Sequence, residues 1–439
     1  MIALVLMLIF IKFIHNLHIN HNIILLLVIP FLFYACETAP YKNDLYTNKI
    51  IDEIEKTSLN DNMKIIKDLK IGMLLPLSGE KSKVGKSLLR ASQLSLNKTN
   101  NKNIKLFVQD TEDPYKNIIS SYYELISEDV DIILGPLFSE NIKLIAPIAL
   151  DHKTIMITLS NNTEIKNTNI FISGLTPENE ITEVLKYAIS KGKNKFGVIL
   201  PDNRYGLRSK ELIESILIEN KSQISKIVLY DPKKPDFYQV VKEVANYEKR
   251  KFELEKKLQE LKNVKTVESE KLYKILKNQD TLGSLDFDSL YIGAENVKHL
   301  SMLASILPYY DVDPKEVLYI GNSLWSHNIA LKEPALEKGI FSNIDQINYE
   351  NFANDYYKTF NEKPHKISSI AYDLIGLVSS FQINNQEINF DNMTSENGFV
   401  GTNGLFRFKK DGDIERLLPI FQIKDQQIKM VKKANLDFK

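Results

Sequence analysis

The sequence predicts an α/β protein made of two doubly wound, Rossmann-like lobes with a cleft between them. Short apolar runs alternate with segments of helical periodicity from about residue 70 onwards. Polar loops, or loops containing Gly and Pro, follow the apolar runs, and the alternation restarts near residue 180. Alternation of this kind is typical of parallel sheets covered by helices, and its restart indicates a second lobe.

Length and composition agree with two lobes of ordinary size. The chain has 439 residues, of which the first 35 resemble a targeting segment, and the remainder is too long for one typical core. Hydrophobic residues make up 44% and charged residues 26%, as in soluble globular proteins. Lys+Arg and Asp+Glu balance at 56 each, so no global basic field favours nucleic acid as a partner.

The single cysteine, Cys36, excludes a disulfide framework and a multi-cysteine metal site. It follows the apolar run Ile23–Ala35, which has the length of a secretory h-region and ends in a small residue. This arrangement resembles a bacterial lipoprotein signal. We therefore expect residues 1–35 to be removed, Cys36 to carry lipid, and residues 36–68 to form a polar tether. An uncleaved N-terminal anchor, or a buried cysteine, is the alternative.

The first lobe is predicted to begin at residue 69. The continuous apolar run Ile71–Leu75 indicates a strand buried on both faces, and Val84–Leu96 repeats apolar residues at helical spacing. The further predicted elements are the strands Ile104–Val108, Asp131–Leu134 and Thr154–Leu159 and the helices Asn117–Ile126 and Asn141–Leu150.

The second lobe continues the same pattern. Its predicted elements are the helices Glu180–Ser190, Leu207–Glu219 and Lys298–Leu307 and the strands Phe196–Leu200, Lys226–Leu229, Ser289–Ile292 and Val317–Ile320. We expect the first lobe to comprise about 69–175 and 320–385, and the second about 176–319 and 386–439.

A charged segment, 236–282, contains neither Gly nor Pro and interrupts the second lobe. Its apolar residues form a heptad-like seam of Tyr247, Leu254, Leu258 and Leu261. Because this seam is too narrow to make a core alone, it must pack on a return helix or on another protein. We expect Ala245–Gln279 to form a projecting helical hairpin broken near Asn263–Ser269. It is either a solvated excursion or a docking element for a protein partner.

The segment Gly79–Ser87 follows a strand and opens a helix, as phosphate-binding loops do. However, five residues separate Gly79 from Gly85, whereas the Walker A pattern has four, so nucleotide binding is not expected. The free N–H groups of the helix that follows still suit an anion such as a carboxylate, and Ser78 and Ser82 add hydroxyls.

Catalytic motifs are absent from the sequence. It has no G-x-S-x-G or H-E-x-x-H pattern, and the histidines after residue 36 are scattered singly. Asp and Glu residues cannot be paired from sequence, which leaves a glycosidase-type carboxylate pair open. We therefore predict no enzyme, no metal and no cofactor.

Several motifs occur in the order found in branched-chain amino acid binding proteins. They are Ile71–Gly79 with Val84-Gly85, Ile133–Leu137, the Ser160 loop and Asp202–Gly206. The chain thus resembles the type I periplasmic-binding-protein superfamily from about Leu69 to Ile423. The resemblance implies the fold of that superfamily and a binding rather than a catalytic role.

Within the superfamily the chain is most similar to penicillin-binding protein activator lipoproteins. The similarity rests on Leu74–Gly79, on Asp288–Ile292 followed by Leu307–Tyr310, and on a C-terminal hairpin formed by Gly401–Phe408 and Asp411–Arg416. The best-known activators carry an additional N-terminal helical-repeat domain, and Glu37–Asp68 is too short for one.

This resemblance implies a periplasm-facing lipoprotein that binds and activates a peptidoglycan synthase. Glu37 is not aspartate, and family rules then favour the outer membrane. The alternative is a solute-binding subunit of an ABC transporter for amino acids or similar small amphipathic ligands, which would act with a permease.

For the transporter-type members, the resemblance implies that an amino acid's carboxylate meets the Ser78 and Ser160 loops and that Tyr205 covers it. The amine needs a carboxylate partner. Lys298 lies near where that acid is expected, and Glu295 is a substitute. Trp325 follows a strand, where ligands bind in open α/β sheets, or else packs beside the hinge. The candidate cleft residues are Ser78, Gly79, Ser82, Gly135, Ser160, Asn161, Tyr205, Glu295 and Trp325.

Overall fold

The computed structural model describes residues 68–264 and 266–438. The predicted signal peptide, the lipidation site Cys36 and nearly all of the predicted tether lie outside these residues. No helix among the described residues is both long enough and apolar enough to cross a membrane.

The first lobe opens with strands that alternate with amphipathic helices. In chain order the elements are β1 (Leu69–Leu75), α1 (Ser82–Thr99), β2 (Ile104–Asp110), α2 (Ile118–Ser127), β3 (Ile132–Leu134), α3 (Ser139–Asp151), β4 (Met156–Thr158) and β5 (Ile170–Ile172). The five strands form a parallel sheet in the order β2-β1-β3-β4-β5. Strands β1, β3, β4 and β5 are buried almost throughout, which is why they are continuous apolar runs.

The second lobe begins with a helix and repeats the alternation. Its elements are α4 (Pro177–Ser190), β6 (Lys195–Pro201), α5 (Arg204–Glu219), β7 (Gln223–Tyr230), α6 (Phe237–Val244), α7 (Tyr247–Lys262), α8 (Val267–Leu276), β8 (Ser289–Ile292), α9 (Val297–Ile306), β9 (Leu318–Gly321), α10 (Asn328–Leu331) and β10 (Ile340–Ser342).

The chain then returns to the first lobe and finally to the second. These elements are α11 (Gln346–Phe360), α12 (Ser368–Ile383), α13 (Phe390–Met393), β11 (Phe399–Gly401), β12 (Gly404–Phe408), β13 (Ile414–Arg416), β14 (Ile420–Lys424) and β15 (Gln427–Lys432). Strands β14 and β15 complete a seven-stranded sheet in the order β15-β14-β10-β9-β8-β6-β7. Strands β11 to β13 form a separate antiparallel sheet.

Each lobe has its own core. Helices α1 and α12 pack together beside the first sheet, and the β12 side chains Phe406 and Phe408 join the same core. The second sheet is covered on one face by α4 and α5 and on the other by α6 and α9. Within the described residues the chain passes between the lobes three times, at 173–176, 343–345 and 417–419.

The lobe boundaries predicted from the sequence are wrong in their second half. Strand β10, at Ile340–Ser342, pairs inside the second sheet and not in the first lobe, whereas β9 lies in the second lobe as predicted. The hairpin of β12 and β13 packs on the first core and not in the second lobe. The physical reason is that β10 continues the parallel ladder from β9, whereas Phe406 and Phe408 are buried in the first core.

The charged segment 236–282 has two parts. The predicted insertion begins too early, because α6 carries four buried apolar side chains and covers the second sheet as an ordinary crossover helix. Helices α7 and α8 pack on each other as the predicted helical hairpin. The break falls between Lys262 and Val267, where Thr266 and Ser269 form a reciprocal capping box.

Candidate functional site

A cavity of about 330 Å³ lies where the two lobes meet. Helices α4 and α5 of the second lobe form two of its walls, and Asn161 and Asn162 of the first lobe close it from the other side. The wall residues on the helices are Pro177, Glu178, Ile181, Arg204, Tyr205, Arg208, Ser209 and Leu212. Of the predicted cleft residues, Asn161 and Tyr205 line this cavity.

Two arginines of α5 bind the first lobe directly beside the cavity. Arg204 Nε donates to Glu164 Oε1 at 2.6 Å, and Arg204 Nη2 pairs with the second oxygen of the same carboxylate. Arg208 donates both to the Thr163 hydroxyl of the first lobe and to the Glu178 carboxylate of the second. We call these five residues the interlobe clasp.

Capping residues begin the two segments that carry the clasp residues. Asn203 caps α5 by accepting from the Gly206 N–H at 3.0 Å, which sets the first turn of the helix and hence Arg204. Arg208 follows four residues later and shares its face of the helix. On the first lobe, Asn162 accepts from the Glu164 N–H at 3.1 Å and begins a short 3-10 turn over Thr163–Ile165.

Tyr205 points from α5 toward the end of strand β9. Its hydroxyl accepts from Asn322 Nδ2 at 3.1 Å, and burial raises the pKa of Tyr205. The neighbouring Glu180 carboxylate is buried and accepts from the Ser323 N–H at 3.1 Å. Burial raises the pKa of Glu180 to about 7, so this group titrates near neutral pH at the point where the lobes join.

The serines predicted to meet a ligand carboxylate have partners within the chain. Ser78 Oγ donates to the Glu112 carbonyl at 2.8 Å, and Ser160 Oγ accepts from the Asn162 N–H at 3.1 Å. Ser160 is buried, whereas Ser78 is half-buried. Neither lines the cavity.

The glycines and the helix-opening serine also lie away from the cavity. Gly79 is exposed with φ +65°, and Ser82 is the first residue of α1. Gly135 is buried with φ +103°, and a Cβ there would lie 2.3 Å from the Leu74 carbonyl oxygen. The close approach of β1 therefore explains this glycine without a ligand.

Glu295 is exposed beyond the end of β8 and accepts a hydrogen bond from Asn203 Nδ2 of the same lobe. Its backbone N–H donates to Tyr230 Oη at 3.1 Å, and burial raises the pKa of Tyr230 to about 12. The substitute amine partner is thus already engaged by an amide. Within the described residues no group of three or more His, Cys, Asp and Glu side chains is arranged to hold a metal ion.

Trp325 does not line the cleft. It is fully buried in the second core, where its ring lies 6.4 Å from that of Phe341. A Cβ on Gly321 would come within 1.8 Å of Trp325 Nε1, and one on Gly339 within 2.4 Å of Cζ3. The indole fills a slot between these glycines, because the 3-10 turn Ser323–Ser326 directs it back into the core.

The clasp was not predicted from the sequence. Arg204 lies within the motif Asp202–Gly206, and the four-residue spacing to Arg208 is a usable signal. Nothing in the sequence pairs these arginines with Thr163 and Glu164, because the partners lie on different lobes and exposed Arg and Glu are common.

Comparisons with known proteins agree with this architecture. Residues 68–248 match the family described as periplasmic binding protein. An uncharacterized protein of Rickettsia prowazekii (strain Madrid E) is 25% identical over 362 residues, which cover 81% of this chain and 86% of that protein.

Two solved structures extend the similarity over both lobes. One, described as a branched-chain amino acid ABC transporter of Rhodospirillum rubrum, matches with a TM-score of 0.65 at 14% identity and covers 83% of this chain and 99% of that one. The other is the C-domain of LpoA from Haemophilus influenzae, a regulator of PBP1A, with a TM-score of 0.59 at 17% identity over 82% of this chain and 99% of that one. The resemblance noted in the sequence is confirmed. The protein has the type I periplasmic-binding-protein fold, and residues 68–248 match the periplasmic binding protein family.

Proposed function

We propose that the protein is an envelope-anchored accessory protein that binds and stimulates a peptidoglycan synthase. Families with this fold are in general binders rather than enzymes and are periplasmic or associated with the envelope. The proposal adds a partner and an anchor to that general role.

The interlobe clasp is the observation that carries the proposal. Arg204 and Arg208 bridge the lobes with the chain's own carboxylate and hydroxyl groups, where a transport protein would close on its solute. Ser78 and Glu295, the residues expected to hold an amino acid, are bonded within the chain. A clasped pair of lobes offers a fixed outer surface, which suits the recognition of a protein. The similarity to the LpoA C-domain supports the same direction at the level of the fold.

The test is to mix the purified mature chain with a purified bifunctional peptidoglycan synthase of the same organism. We expect a complex with a Kd in the micromolar range or below and a severalfold faster polymerisation of glycan chains or cross-linking. Heat-denatured chain is the control. Absence of both complex formation and stimulation, across all the organism's synthases, would refute this function.

The cavity supports solute binding as a second candidate function. It lies between the lobes and combines apolar walls at Pro177, Ile181 and Leu212 with amide and charged groups, as small-molecule sites do. Thermal unfolding in the presence of single amino acids or benzoate tests it. A ligand at 100 times its Kd should raise the free energy of unfolding by about 2.7 kcal/mol. Such a shift, without any complex with a synthase, would favour transport.

Anchoring is proposed through lipid on Cys36, which lies outside the described residues, with the outer membrane favoured by Glu37. Two or more acyl chains hold a protein stably on a bilayer. We expect Cys36→Ser to release the protein into the soluble envelope fraction and to prevent metabolic labelling with palmitate. An unlabelled wild-type chain with an intact N-terminus would contradict lipidation.

A further inference from the structure

Helices α7 and α8 form an arm that is fixed to the second lobe at its base. Arg250 Nη2 donates to the Gly283 carbonyl at 2.9 Å, and the Leu282 N–H donates to the Arg250 carbonyl at 3.0 Å. The rings of Tyr247 and Tyr310 meet edge to face at 4.9 Å. The chain segments that enter and leave the arm are therefore bonded to each other, and the arm packs on the second lobe at Tyr310.

The arm is also ordered along its length. Leu254 of α7 and Ser269 and Leu276 of α8 are buried, while Leu258 and Leu261 are half-buried, so the predicted seam lies between the helices. The capping box at Thr266 fixes the start of α8. A partner would therefore meet a preformed element and would not have to pay the entropy of ordering it.

One face of α8 remains uncovered. Leu272 and Ile275 are neighbours on the helix surface at a spacing of three, with 39% and 59% of their surface exposed. Lys271 and Lys274 flank them and are exposed. We call these four residues the arm face. The spacing of this apolar pair, i and i+3, matches the first two anchors of a helix that lies in a groove of another protein.

Charge indicates what kind of groove would fit. Residues 246–279 contain ten Lys and Arg but only six Glu and no Asp, although the whole chain has equal numbers of basic and acidic residues. Glu268 and Glu270 lie in the first turn of α8, where they complement the helix dipole. The lysines are thereby left in the later turns, beside Leu272 and Ile275. An acidic partner surface is complementary to this end of the arm.

We infer that the arm face docks into an apolar groove with acidic walls on the periplasmic part of the peptidoglycan synthase. This inference rests on the proposed function and adds the surface that makes the contact. The cleft and the clasp are not part of this surface.

The experiment measures binding of the full mature chain to the purified synthase by biolayer interferometry. We expect Leu272→Ser with Ile275→Ser, and separately Lys271→Glu with Lys274→Glu, to weaken binding at least tenfold. Wild-type binding should also weaken as the salt concentration rises. Phe252→Ser and Lys249→Glu with Lys256→Glu are the matched controls. These residues are exposed on α7, and Phe252 lies on the side of that helix opposite the buried Leu254. The controls should bind like the wild type.

The outcomes are distinguishable. All variants must melt within a few degrees of the wild type, which exposed positions allow; a variant that does not is replaced by Leu272→Ala with Ile275→Ala. If the wild type binds and the arm-face variants bind equally well, the docking face is wrong while the proposed function stands. If the wild type binds no synthase, both fail. If the arm face instead binds vesicles containing anionic phospholipid and no synthase, its partner is a membrane and the inference is overturned.

Discussion

Arg204 of the second lobe forms a two-point ion pair with Glu164 of the first lobe, so this side chain links the two halves of the protein through both carboxylate oxygens. Both side chains are about half exposed, and pairs of this kind contribute at most about 1 kcal/mol each. We therefore expect the pair to affect the relative position of the lobes more than the stability of the protein.

We expect the double substitution Arg204→Ala with Arg208→Ala to let the lobes separate. Small-angle scattering should show a larger radius of gyration, while the melting temperature falls by only a few degrees. Lys210→Ala is the control, because Lys210 pairs with Glu214 inside α5 and does not reach the first lobe. An unchanged scattering curve for the double variant would show that the clasp does not hold the lobes.

Glu180 should make stability depend on pH near neutrality. Because burial raises its pKa from 4.5 in the unfolded chain to about 7, the folded chain holds the proton more tightly. The contribution of this group is therefore fully present below about pH 4.5 and is lost as pH rises through about 7, by roughly 1 kcal/mol per unit.

Glu180→Gln removes this titration and retains an acceptor for the Ser323 N–H. The free energy of unfolding of the variant, measured by urea denaturation, should exceed that of the wild type at pH 8, and the difference should shrink toward pH 5. Glu211→Gln, an exposed change on α5, should leave the wild-type pH profile unaltered. If the difference in the free energy of unfolding between Glu180→Gln and the wild type does not depend on pH, the pKa of the Glu180 carboxyl is not raised.

The stability of the protein should fall both when Trp325 is made smaller and when the glycine that contacts it is made larger. Trp325→Ala leaves a cavity in the second core and should cost about 3–5 kcal/mol. Gly321→Ala should cost about 1–3 kcal/mol, because its methyl group would meet the indole. The double variant should cost less than the sum, as unfolding in urea can measure. Additive costs would show that the methyl and the indole do not meet.

A buried charged pair lies where the chain makes its third crossing between the lobes. Burial lowers the pKa of Arg416 to about 10 and raises that of Asp373, and Asn403 stands between them, bonded to both. Arg416→Leu should cost about 3–5 kcal/mol, because it leaves the carboxylate without its positive charge. Adding Asp373→Asn should recover part of that loss. A double variant no more stable than Arg416→Leu alone would contradict the coupling.

Local pattern was enough to predict most strands of both sheets. Ile71–Leu75 and Ser289–Ile292 are buried on both faces, so their apolar runs are continuous and short. The hairpin of α7 and α8 could be predicted for a similar reason, since its seam has a helical period. Strands β5 and β10 were missed because only short helical turns separate them from β4 and β9, so the alternation with long helices that located the equally short β3 and β4 is absent there.

The partners of each element were harder to predict than the elements. Strand β10 shows nothing locally that distinguishes one sheet from the other, and its place follows from pairing with β9 and β14. Trp325 follows a strand end as a ligand-binding residue would, but the turn after Asn322 sends it inward. The clasp depends on the closeness of two surface loops from different lobes, which no local pattern records.

The three crossings determine when each lobe can be completed during synthesis. Helix α12, close to the C-terminus, lies against α1 near the start of the first lobe, and β14 pairs with β10 in the second sheet. Neither half of the protein can close its core until almost the whole chain is available. Contacts between such distant segments slow folding and leave apolar sheet faces uncovered in the meantime. Termination anywhere before β13 therefore leaves both cores incomplete, because Ile414 belongs to the first core and Ile420 and Phe421 belong to the second lobe.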